Sequence, residues 1–326
     1  MTDLVDSSTS LYSRRRSAWE LAGTAVAGRG DALSAMRAAG LTGWNIRKVR
    51  QTGMDITGDG VTAVDNPDQV MLVRTDPRTG RTRYLSSVGE GYGVKQNEDQ
   101  AGVLDALVAE AGAPGLAHAG AIDDGRRTFV TMKLPTTMTV AGTDPVDLYL
   151  VAFNSHDGTA AFRVGLVPFR VACANQLDLA VATAVSSVAI RHTRNSRIDV
   201  AGIRSKLRLM YDYADAFEAQ AQRMIHAELT TDGFRDLVET LWPVGHNAPP
   251  RTRANAERRR THLLRLWTDA PTQASIRGSR WAGLQAVTEY LDHYQPATSE
   301  AARAGRVLTS TTVLRRKQHA FDLLTA

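Results

Sequence analysis

Two Asp-Gly turns constrain this chain more than any other feature. Asp123-Asp124-Gly125 lies between runs 116–122 and 126–134, and Ser155-His156-Asp157-Gly158 lies between runs 147–154 and 159–168. Asp and Gly accept the positive φ of a tight hairpin, and a run alternating at period two offers one face to a core. Strands joined this way pair antiparallel. A further hairpin is expected from residues 70–74 and 82–88, joined by the polar stretch TDPRTGR. Residues 44–49 read as a strand, and 51–69, rich in Gly, Asp and Thr, read as a loop.

Helical spacing enters at three places in this first part. Residues 32–39 form a short helix with Asp31 as its N-cap and Gly40 as its stop. Residues 98–111 put Val103, Leu104, Leu107 and Val108 on one face. Residues 175–188 also read as a helix. Beyond residue 190 only helices are expected, over 203–227, 234–242, 254–267, 280–294 and 313–324, with a Pro-rich linker at 243–252. The fold class is therefore α+β: an antiparallel, hairpin-rich sheet with packed helices, followed by a mainly helical C-terminal region. The expected organisation is a flexible tail over 1–30, an α+β core over 31–188 and a basic helical region over 189–326.

Charge divides along the same line. Residues 1–188 carry a net charge of −2 and residues 189–326 a net charge of +7. The densest basic stretch holds Arg191, Arg194, Arg197, Arg204, Lys206 and Arg208 against Asp199 alone. Such clustering is an electrostatic footprint for nucleic acid, because phosphates release counterions when cations meet them. It equally suits a solvated helix face. Arg170, at the end of a strand, adds a further expected contact. Arg258-Arg259-Arg260 and Arg315-Arg316-Lys317 are later basic clusters.

Other classes are excluded or weakened. The sole cysteine, Cys173, rules out an intramolecular disulfide, a CxxC pair and a thiolate zinc cage. No apolar run reaches the ~18 residues of a membrane span, and MTDLVDSSTS lacks the apolar centre of a signal peptide. A cytoplasmic protein without cofactor, metal or membrane partner is the expectation. Walker, HExxH and GxSxG motifs are missing, and GEGYG at 89–93 does not have Rossmann spacing. An enzyme would have to draw on His156 and Asp157 in their turn, with Cys173, Asn175 and His192. The same residues also suit a hairpin turn, a buried cysteine and a helix cap. A structural or self-assembling protein is the third reading.

The stretch NSHDGTAAFRVGLVPFRVACANQLDLA, followed by IRHT, resembles the core of the phage/plasmid-like protein family, a family of unknown function found in phages, prophages and plasmids. GYGVKQNED and WAGLQAVTEYLDHYQPA resemble further segments of that family, so the likeness spans roughly 30–325. Gln176 departs from it, standing where members more often have Thr. The order of short helix, Trp-led strand, hairpin and helix is similar to Erf-type single-strand annealing proteins. That likeness implies single-stranded DNA held between a sheet and helices, in a homo-oligomer. The functional expectation is a nucleic-acid-binding protein of DNA replication or recombination.

Overall fold

The computed structural model describes residues 15–176, 187–190 and 200–326. The strands are β1 (Gly23–Ala25), β2 (Arg47–Thr57), β3 (Gly60–Thr75), β4 (Thr82–Gly89), β5 (His118–Ile122), β6 (Arg127–Val140), β7 (Asp144–Ser155), β8 (Phe162–Arg170), β9 (Asn175–Gln176) and β10 (Ser187–Ile190). The helices are α1 (Ala18–Ala22), α2 (Ala32–Ala38), α3 (Ala101–Glu110), α4 (Val200–His226), α5 (Thr231–Leu241), α6 (Pro250–Thr268), α7 (Arg280–Glu289), α8 (Glu300–Thr309) and α9 (Thr311–Thr325). The α+β class holds.

The main sheet runs β1-β5-β6-β7-β8-β10, antiparallel throughout, and β9 pairs with the far end of β8. Period-two alternation gives it two apolar faces. Leu148, Leu150 and Ala152 of β7, with Val164 and Leu166 of β8, join the larger core, which includes Phe217, Phe234, Trp281 and Leu284 from the helices. Phe129, Val151 and Val167 point the other way, against Trp19 of α1 and Ala304, Val307 and Leu308 of α8. Helices therefore cover both faces. A second sheet, β2-β3-β4, abuts the turn end of the first. There the Trp44 ring lies beneath Gly125, whose φ is 91°. A Cβ at Gly125 would come within 3.0 Å of Trp44 and 2.8 Å of the Arg74 guanidinium, so both conformation and space require glycine.

Three expectations are corrected. Residues 51–69 are not a loop: β2 and β3 form a long ribbon, paired from Arg47↔Val73 out to Thr57↔Gly60. The tail reading fails for residues 15–30. Ser17 and Glu20 make a capping box for α1, and Trp19 is buried between Tyr149 and Phe169. Residues 1–14 lie outside the described residues. The helix expected over 175–188 is replaced at both ends by strand. Asn175 and Gln176 turn back onto Arg170 and Phe169, and Ser187–Ile190 adds an edge to β8. Its middle, 177–186, lies outside the described residues.

Candidate functional site

The Ser155–Gly158 turn is held by charge and hydrogen bonds. Asp157 accepts from the Ser155 hydroxyl, the Thr159 hydroxyl and the Thr159 amide (2.9 Å), and pairs with Arg127 Nε at 3.2 Å. Burial pulls its pKa up, yet the hydrogen bonds and the guanidinium outweigh burial and hold the carboxyl below its ordinary range. His156 is buried. Its amide donates to Arg126 O and its carbonyl accepts from Ser86 Oγ. Its ring Nε2 lies 2.8 Å from Asn97 Oδ1. Asn97 Nδ2 donates to Leu41 O, and Asn154 Nδ2 lies 3.3 Å from the same ring nitrogen. Neighbouring Gln96 spans both backbone groups of Ile46, and Glu98 accepts from the Gly43 amide. The segment GYGVKQNED thus ties the second sheet to the turn. Of the two readings of the turn, the structural one fits this geometry: His156 reaches the second sheet through Ser86 and Asn97, and Asp157 fastens the turn to itself and to β6.

The second group lies at the other end of β8. Between Phe162 and Arg170 that strand covers about 26 Å, so the turn and Cys173 do not meet and the combined catalytic reading is removed. Arg170 is fully buried. Its Nε donates to both oxygens of Asp144 (3.0 and 2.7 Å), Nη2 donates to Thr272 O (2.8 Å), and Nη1 lies 3.4 Å from Cys173 Sγ. Trp281 Nε1 completes Asp144 at 2.7 Å. As a phosphate contact, Arg170 is corrected: it is an interior ion pair joining sheet to helices. Burial pushes the Cys173 thiol up to about 12, against the lowering pull of Arg170. A thiol so placed is no nucleophile. Asn175 donates to Gln285, Glu289 accepts from Thr272, Gln273 and Arg15, and Asp292 binds the Gln176 amide and Lys317. The R-V-x-C-x-N segment is a buried clamp.

Open chemistry lies elsewhere. A cleft of about 470 Å³ separates one corner of the main sheet from the α8–α9 junction. Arg127, Phe153, Ser155 and Arg163 line the sheet side; Leu308, Thr309, Leu314 and Arg315 line the helical side. Arg163 and Arg315 are exposed, and among the described residues neither makes a hydrogen bond or ion pair. Ile190, the last residue of β10, pairs with Phe162, next to cleft-lining Ala161. Arg191, Arg194, Arg197 and His192 lie outside the described residues, while Arg204, Lys206 and Arg208 lie in α4.

Arg163 was hidden in the sequence as the one charge within the run 159–168, and Arg315 as one member of a cluster. Its neighbours are committed: Arg316 lies over Trp242 and Lys317 is buried against Asp292. The other cluster is likewise occupied, with Arg258 on Asn255, Arg259 over Trp242 and Arg260 on Glu239 and Glu257. Among the described residues no His, Cys, Asp and Glu group could hold a metal, and no helix is long and apolar enough to cross a membrane.

No curated protein and no solved structure matches the chain. A family model, the domain of unknown function DUF932, matches residues 84–319. The match takes in the His156 turn, the Arg170–Asn175 clamp, the cleft and almost the whole helical region, and the chain belongs to the DUF932 family.

Proposed function

We propose that this protein binds nucleic acid along the cleft between the sheet corner and the α8–α9 junction. The observation that carries the reading is the pair of exposed arginines that line this cleft from opposite sides, Arg163 and Arg315, neither of which makes a hydrogen bond or ion pair among the described residues. Cations without internal partners are the ones that gain by meeting phosphates. The sharper form of the reading is single-strand binding in phage or plasmid replication or recombination, in a host cytosol. The half-exposed Tyr84 ring on β4 offers one face for stacking a base.

The test is binding of labelled single- and double-stranded oligonucleotides across a salt series. About five phosphate contacts on a single strand give a log–log slope near −3.5. The variant Arg163→Gln/Arg315→Gln should flatten that slope by about 1.4, and Arg194→Gln/Arg197→Gln/Arg204→Gln by about 2. Absence of binding at low salt, or a slope untouched by either variant, refutes the reading.

A further inference from the structure

Among the described residues, the outer part of the β2–β3 ribbon forms no hydrogen bond or ion pair with any other element of the fold. Only residues 69–75 of β3 are paired with β4, and only 47–50 of β2 lie against that three-stranded portion. Beyond them the ribbon is two strands wide, ending in a tight turn at Gly58-Asp59. Directly opposed residues share a face, so the pairs Met54↔Ala63 and Ile56↔Val61 place four apolar side chains together. That face is open: Ile56 is 76% exposed, Met54 62% and Val61 59%. Both strand edges are unpaired as well. A two-stranded ribbon with an uncovered apolar face is marginal in water and marks an interaction surface.

Its charge selects among partners. Residues 51–69 contain Asp55, Asp59, Asp65 and Asp68 and no Lys or Arg, a net charge of −4. The rest of the chain carries +9, and the described helical region, residues 200–326, carries +5 of it. An acidic arm repels nucleic acid and anionic lipid alike. It is complementary to the helical half of the protein from which it projects.

We propose that this arm docks on the basic helical region of a second copy of the chain. Arm and receiving surface are different patches, so the contact is heterologous and repeats from copy to copy, giving a ring or a filament. Apolar contact at Met54, Ile56 and Val61 supplies affinity, and the aspartates supply orientation and speed of encounter. The proposal does not depend on nucleic-acid binding, since the arm does not line the cleft.

The full-length protein is examined by sedimentation velocity over a concentration series at low and high salt. The expected result is an assembly larger than a monomer that weakens as salt rises. Ile56→Asp/Val61→Asp should weaken it about 100-fold, since each change desolvates a charge where an apolar side chain was buried. Asp55→Lys/Asp59→Lys should weaken it and remove most of its salt dependence. Unaltered unfolding midpoints for both variants confirm that they fold. A photo-crosslinker at position 56 should reach residues 189–326 of another molecule. A parent protein that stays monomeric, an assembly indifferent to Ile56→Asp/Val61→Asp, or crosslinks confined to residues 31–188 would overturn the proposal.

Discussion

At Asp157 a carboxylate collects two hydroxyls, an amide and a guanidinium. Its folded pKa lies below the unfolded value, so it stabilises the protein fully at neutral pH, and this contribution fades as pH falls through the carboxylate range. Asp157→Asn should cost about 1–2 kcal/mol at pH 7, the scale of hydrogen bonds to a charged group. The gap between parent and variant should close below pH ~4, as denaturant titrations at several pH values would show. A gap that widens on acidification would contradict this account. Arg170 is a harsher case. Arg170→Met strands Asp144 in the interior, and removal of one partner of a buried pair costs about 3–5 kcal/mol. Cys173 beside it should react with a thiol reagent only as fast as the protein unfolds; immediate labelling of native protein would show that burial is incomplete. The burial of Cys173 was legible in its small apolar neighbours, whereas the ion pair of Arg170 was not. Its ion-pair partner Asp144 is 26 residues away, and Thr272, whose carbonyl takes the Nη2 hydrogen bond, is 102 residues away. A strand-end arginine bound for the interior looks the same in sequence as one bound for solvent.

The hairpins were readable because Asp-Gly turns and alternation agree on them. The ribbon over 51–69 was not, because its glycines, aspartates and Pro67 have low strand propensity. What holds it is cross-strand pairing, although the sequence MDIT-GD-GVTAV does carry alternation around a turn. Ser187 and Val188 were misread in the opposite sense: taken as the end of a helix, they pair along β8 in β10. Since the outer ribbon is exposed and bonds to no other element among the described residues, replacing residues 54–63 by Asn-Gly should leave monomer stability within about 0.5 kcal/mol. Denaturant unfolding at a concentration too low for assembly checks this. A large loss would mean that the arm supports the core.

Although period-two patterning gives way to helices near residue 190, no seam in the packing follows. One core joins Leu148 and Val164 to Phe234 and Leu284, and the polar clamp passes from Arg170 and Gln176 to Thr272, Trp281, Asp292 and Lys317. Residues 31–188 alone should therefore show no cooperative transition. The full chain should melt once, with far-ultraviolet dichroism and tryptophan fluorescence coinciding. Two separated transitions would mean that the clamp is not shared. The change of pattern was legible as a boundary in local structure, whereas the bonds across it join residues too distant for spacing to reveal. The smaller apolar cluster spans further still, packing Trp19 against Leu308. At about 5–20 residues per second, synthesis leaves that tryptophan waiting some 15–60 s for the helix that covers it. Through that interval the newborn chain carries an unfinished sheet face, a natural target for a chaperone.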